Sequence, residues 1–276
     1  MMKYLLLILL QALIHPMFSA QVDSLEIYSA KMNKKIPTIV ITPSKYKDKD
    51  AKFPVLYLLH GLSDDHTKWI KTVPAIKDLA DQYQLMIVCP DGGYGSWYLD
   101  SPIDPSYQYE TFLANELLSY IDTKYKTIAN KGGRIITGLS MGGHGALYIA
   151  SRNPEKFVAA GSMSGAVDMW SIGFEKSDTG FDVPKRLGDF NTNEALWKKH
   201  SIVFNTQKLK DANLHYYIDC GTEDFLIEEN RELHRRMVHE KISHEYIERE
   251  GNHNWEYWSN AILYQLAYLN QFLVRK

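Results

Sequence analysis

Arg134-Ile135-Ile136-Thr137-Gly138-Leu139-Ser140-Met141-Gly142-Gly143-His144-Gly145 is the stretch on which the reading of this chain turns. A short β-branched run after two glycines enters a glycine-rich turn, which leads into Ala146-Leu147-Tyr148-Ile149-Ala150, a segment that reads as helix. Gly138, Ser140 and Gly142 match G-x-S-x-G, the nucleophile elbow, in which a strained backbone lifts a serine hydroxyl above the end of a sheet. The small residues have a steric reason. A helix folding straight back on the strand it has just left brings two backbones together on either side of the serine, where a β-carbon would collide.

Working outward, such a serine needs a base to take its proton and a third group to hold that base in the right tautomer. The hydrolase order along a chain is serine, acid, histidine. His253 fits the last place, in Gly251-Asn252-His253-Asn254 directly after a strand-like run. Asp219, Glu223 and Asp224 all stand between the two; Asp224, beside apolar Phe225 and Leu226, is preferred. His144 sits on the helix running away from the serine and reads as structural, and His60 reads as ordering its own loop. The oxyanion of a tetrahedral intermediate calls for two amide donors. The backbone N–H groups of Met141, after the nucleophile, and of Leu62, after the strand ending at Leu59, are expected to supply them.

From residue 53 onward strands and helices alternate. Residues 53–59 and 85–89 are continuous apolar runs of the kind buried on both faces of a parallel sheet, and helical patterns fall at 72–84, 109–126, 228–242 and 258–274. A leading antiparallel pair is expected within 22–43. The implied fold class is α/β, a mainly parallel sheet with helices on both faces, and catalytic groups in such sheets gather at the carboxyl ends of strands. Residues 166–200 break the rhythm and suggest a short cap-like insert. Residues 94–107 read as an ordered surface loop, and Tyr94, Trp97, Tyr98, Trp170 and Trp197 are expected to border the mouth of the site, with Trp97 and Tyr98 as substrate-binding residues.

Formal charge is −2, from 31 basic and 33 acidic residues that are interspersed, which argues against a nucleic-acid footprint. There is no metal-ligand cluster, phosphate loop or nucleotide fingerprint, so neither a metal nor another cofactor is expected. Cys89 and Cys220 each end an apolar run and read as buried free thiols. The first twenty residues differ in kind: Lys3, then an apolar run to Ile14, then His15-Pro16 and Ser19-Ala20. That resembles a secretory signal peptide over 1–20, too short to span a bilayer. The expected organisation is therefore a signal followed by a single domain over 21–276, secreted or periplasmic, with no membrane association once mature.

The loops His60-Gly61-Leu62-Ser63-Asp64-Asp65, Pro90-Asp91-Gly92, Trp97-Tyr98-Leu99-Asp100, the serine elbow, Cys220-Gly221-Thr222-Glu223-Asp224 and the His253 turn together resemble the putative-esterase (esterase D-like) family. That family includes tributyrin esterases, S-formylglutathione hydrolases, mycolyltransferases, and feruloyl and acetyl-xylan esterases. The resemblance implies an α/β-hydrolase fold and a triad of Ser140, Asp224 and His253. It leads to the expectation of a serine carboxylesterase acting on short-chain acyl or hydroxycinnamoyl esters, small or linked to polysaccharide. Acyl transfer between sugars, or carbohydrate binding without catalysis on the same scaffold, are the competing readings.

Overall fold

The computed structural model describes residues 20–175 and 180–275, so the expected signal segment, apart from Ala20, and part of the insert lie outside the described residues. Eight strands form one sheet: β1 (Gln21–Ser29), β2 (Lys34–Thr42), β3 (Val55–Leu59), β4 (Met86–Pro90), β5 (Arg134–Gly138), β6 (Ala159–Met163), β7 (His215–Gly221) and β8 (Glu245–Arg249). Their spatial order is β1-β2-β4-β3-β5-β6-β7-β8. β1 pairs antiparallel with β2, and β2 antiparallel with β4. All the remaining pairings are parallel, which is the α/β arrangement that the alternation of segments predicts.

The apolar runs in the central strands follow from the two-residue period of a strand. In β3, Val55, Tyr57 and Leu59 enter one core while Leu56 and Leu58 enter the other. The first core is covered by the helices Met141–Arg152 and Ile227–His239, the second by Ile76–Gln82 and Trp255–Leu269. Both faces are therefore dry, and neither could tolerate an alternating polar pattern. Cys89 and Cys220 are buried and free; burial pushes the Cys89 thiol up to about 12.

Two expected helices differ from the sequence reading. The helix expected at 72–84 is shorter, Ile76–Gln82, and is preceded by a separate turn of helix, Lys68–Thr72. The long helix after residue 109 widens into a π turn over Phe112–Leu117 before resuming as Leu118–Lys124. Phe112, Leu113 and Ala114 are all buried there, and three successive inward residues are more than a regular 3.6-residue turn accommodates on one face. The insert is built of short helices, Met169–Glu175, Val183–Leu187 and Phe190–His200. Arg186 ties it to the loop at 94–107. This buried guanidinium hydrogen-bonds Asp104 at 2.8 Å and the Gly95 carbonyl at 3.1 Å, and lies 3.3 Å from the centre of the Tyr107 ring.

Candidate active site

The elbow is set by its backbone. Ser140 has φ 52° and ψ −117°, a strained combination for a residue with a side chain. Its N–H donates to Met163 O at 2.9 Å, and its own carbonyl accepts from the amides of His144 and Ala166. A β-carbon on Gly142 would stand 2.6 Å from His60 O and 2.7 Å from Leu59 O, and one on Gly138 would stand 2.6 Å from the Gly142 backbone. Glycine at both places is what lets the Met141–Arg152 helix start flush against β3 and β5.

Ser140 Oγ lies 2.9 Å from His253 Nε2. His253 Nδ1 lies 2.9 Å from each oxygen of Asp224, a carboxylate that also accepts Leu226 N–H on Oδ1 at 2.9 Å. The three side chains come from the ends of β5, β7 and β8, and the last two loops are stitched together: Thr222 N–H donates to Arg249 O and Glu223 N–H to Gly251 O. Phe225 lies against the imidazole with centroids 4.5 Å apart, and Trp258 meets it edge-on at 4.9 Å. Asn254 caps the following helix by accepting Tyr257 N–H, which fixes where the His253 turn ends.

The other two acids lie elsewhere. Glu223 accepts from Asn252 Nδ2 at 2.8 Å. Asp219 is fully buried, takes hydrogen bonds from Gln265 and Tyr257 and from Arg249 at 3.3 Å, and burial pushes its carboxyl up to about 6. His144 is buried with Nδ1 3.1 Å from Trp97 O and Nε2 3.0 Å from His200 O, and burial holds its pKa down to about 4. His60 is buried too. Its Nδ1 donates to Gly61 O and its Nε2 accepts Gly92 N–H at 2.7 Å, so its tautomer is fixed and it braces the Gly61-Leu62 loop. Among the described residues, the amides of Leu62 and Met141 meet no protein acceptor. They stand at the end of β3 and just after the nucleophile, where donors to an oxyanion are needed.

These side chains open onto a cavity of about 280 Å³, lined by Gly61, Leu62, Ser140 and His253 together with an apolar wall that includes Ile172, Phe181, Phe225 and Trp258. The aromatic expectation requires correction. Trp97 lines the cavity, but its indole N–H is spent on Phe181 O at 3.0 Å. Tyr98 does not line it: wholly buried, its hydroxyl accepts His60 N–H at 3.1 Å and donates to His60 O at 3.0 Å, so it supports the oxyanion loop from beneath. Trp197 is buried with its N–H on Gly188 O. Neither Tyr94 nor Trp170 is among the lining residues. The cavity uses Phe181, Phe225, Trp255 and Trp258 instead. Trp255 and Trp258 follow the His253 turn at helical spacing, the one signal that could have placed them. A serine, imidazole and carboxylate so arranged, beside two free amides and a dry wall, can carry out acyl transfer through a covalent acyl-serine.

Comparison with known proteins gives this geometry a family. The family model Esterase, described as "Putative esterase", matches residues 29–269. The chain belongs to that family. An acetyl esterase of Caldicellulosiruptor saccharolyticus is 29% identical over 250 residues, which cover 85% of this chain and 93% of that protein. A diacylglycerol acyltransferase/mycolyltransferase, Ag85B, of Mycobacterium leprae is 28% identical over 271 residues, covering 86% and 80%. Among solved structures, a ferulic acid esterase superposes with a TM-score of 0.78 at 28% identity, covering 93% of this chain and 100% of that one. The fold of this esterase is accordingly the α/β-hydrolase fold.

Proposed function

We propose that this esterase is a secreted or periplasmic serine carboxylesterase that cleaves compact acyl groups, acetyl to hydroxycinnamoyl, from carbohydrate-linked esters. The observation that carries the mechanism is His253 hydrogen-bonded at once to Ser140 Oγ and to Asp224, each at 2.9 Å. In this reading His253 takes the serine proton as Oγ attacks the ester carbonyl, and Asp224 stabilises the imidazolium that forms. The Leu62 and Met141 amides receive the oxyanion. Collapse expels the alcohol with the proton from His253, and a water activated by the same imidazole releases the acid from Ser140.

Support for the substrate class comes from the cavity's size and apolar lining and from the similarity to an acetyl esterase and a ferulic acid esterase. Export rests on the N-terminal pattern Lys3, residues 4–14 and Ser19-Ala20; mass spectrometry of the mature protein recovered outside the cytoplasm tests it. For the reaction, kcat/KM is measured across acetyl, butyryl, octanoyl and feruloyl esters, in wild type and Ser140→Ala. Short and hydroxycinnamoyl esters are expected to lead, with Ser140→Ala inert though folded. A rate that climbs steadily past octanoyl overturns the substrate reading. The kinship with an acyltransferase favours one rival, transfer to a sugar acceptor, and the same panel run with added sugar separates it by acyl-sugar product.

A further inference from the structure

Among the described residues, one ionisable side chain apart from the triad lines the cavity, and that is Asp64. A methyl group placed on Gly61 would lie 3.6 Å from its Oδ2 and 3.5 Å from Ser140 Cβ, so the carboxylate and the nucleophile flank the same glycine. The neighbouring Asp65 does the structural work of this loop, accepting both the N–H and the hydroxyl of Thr67. Asp64 has a smaller part in it, a hydrogen bond from the Gly61 backbone to its carboxylate. It is half-buried, and burial pushes its carboxyl above the ordinary range, opposed by the fields of His60 and Lys68 and by the Gly61 backbone. A negative charge close to Gly61, one residue before the Leu62 amide, also works against an oxyanion forming there. A simple acyl ester would be served better by an apolar residue in this place.

We propose that Asp64 is a specificity-determining residue that accepts hydrogen bonds from substrate hydroxyl groups close to the scissile ester. This rests on the esterase reading above. A carboxylate offers two oxygens with several lone-pair directions, enough to take two hydroxyls at once. Set against an apolar wall and only partly compensated by Lys68 and the Gly61 backbone, the carboxylate is left short of donors by any substrate that brings none, and such a site disfavours the analogue lacking the hydroxyl. The same charge repels substrates carrying a carboxylate near the ester. The hydroxyl can come from a sugar on the alcohol side or from a phenol on the acyl side.

Two matched pairs of esters separate these sources. On the alcohol side, a mono-acetylated methyl xyloside is compared with cyclohexyl acetate; on the acyl side, methyl 4-hydroxycinnamate is compared with methyl cinnamate. The readout is the ratio of kcat/KM within each pair for wild type, Asp64→Ala and Asp64→Asn, with thermal melts to verify folding. Wild type is expected to prefer the hydroxylated member of at least one pair. Asp64→Ala reduces that preference by roughly 10- to 100-fold, and Asp64→Asn, which keeps an acceptor oxygen but no charge, falls between. The pair that collapses names the side. A wild type that hydrolyses these esters without preference, or variants that keep the preference in both pairs, overturn the role of Asp64. If Asp64→Ala does not fold, Asp64→Asn alone decides. A wild type that turns over none of the four esters refutes the esterase reading instead, and the two failures are thereby told apart.

Discussion

Replacing Asp224 by asparagine probes the triad most sharply, because the surroundings dictate how the amide must sit. Leu226 N–H, buried, requires an acceptor at the Oδ1 position, so the asparagine carbonyl takes that place and its NH2 falls where Oδ2 was, 2.9 Å from His253 Nδ1. Nδ1, which lay 2.9 Å from both carboxylate oxygens, then faces a donor in place of one of them, and its proton shifts toward Nε2. That nitrogen faces Ser140 Oγ and can then no longer accept the serine proton. Flipping the amide would restore the tautomer but strand the Leu226 donor, at about 1–3 kcal/mol, leaving roughly a tenth to a hundredth of molecules competent. Those molecules also lack the charge that stabilises the imidazolium, so kcat should fall by about 10⁴. Steady-state hydrolysis of an aryl acetate measures the loss, with active-site titration and circular dichroism to establish folding. Glu223→Gln and Asp219→Asn serve as controls. An Asp224→Asn enzyme keeping more than a tenth of wild-type turnover, or a folded control that loses as much, would refute the assignment.

Three other outcomes are expected. His253→Ala should lose turnover as completely as Ser140→Ala, since groups that act as one unit fail together, whereas His144→Ala should chiefly lower the melting temperature; the reverse ranking in paired rate and melting measurements would show the wrong base was chosen. Gly142→Ala puts a carbon 2.6 Å from a backbone oxygen that cannot step aside, so denaturant unfolding should show a loss of about 1–3 kcal/mol, together with reduced activity. Asp219 is protonated more readily in the folded chain, with a pKa of about 6 against the ordinary 3.8; its contribution to stability is therefore full below the lower value and declines as pH rises through the higher one. Wild type should accordingly lose about 2 kcal/mol relative to Asp219→Asn between pH 4 and 7, and parallel stability curves for the two proteins would contradict the burial argument.

What the chain revealed of itself in advance divides along a physical line. The elbow, the Gly61-Leu62 loop and the His253 turn were legible because their chemistry is local: glycines where backbones meet, a histidine in a turn after a strand, an order along the chain. The central strands were legible because burial on both faces leaves an unbroken apolar run. Tyr98 was misplaced because nothing in Gly95-Ser96-Trp97-Tyr98 says which way its rings turn. Trp97 and Tyr98 both adopt positive φ, 56° and 55°, and that reversal drives the Tyr98 ring under His60 instead of outward. The choice depends on partners 38 residues away. Phe181 was invisible for the same reason, since its place at the cavity follows from the Arg186 tie and the Trp97 hydrogen bond, which no periodicity records.

The stitching between the Asp224 and His253 loops has a consequence for how such a protein changes over time. Acid and base are cross-linked by backbone bonds and seated on adjacent strands, so they move through sequence space as one cassette. Ile172 and Phe181, by contrast, belong to an insert whose described residues contribute no reacting atom. Exchanging or lengthening that insert re-cuts the mould around the substrate while the proton-handling parts stay in register. A lineage can thus diversify in what it cleaves without first relearning how to cleave.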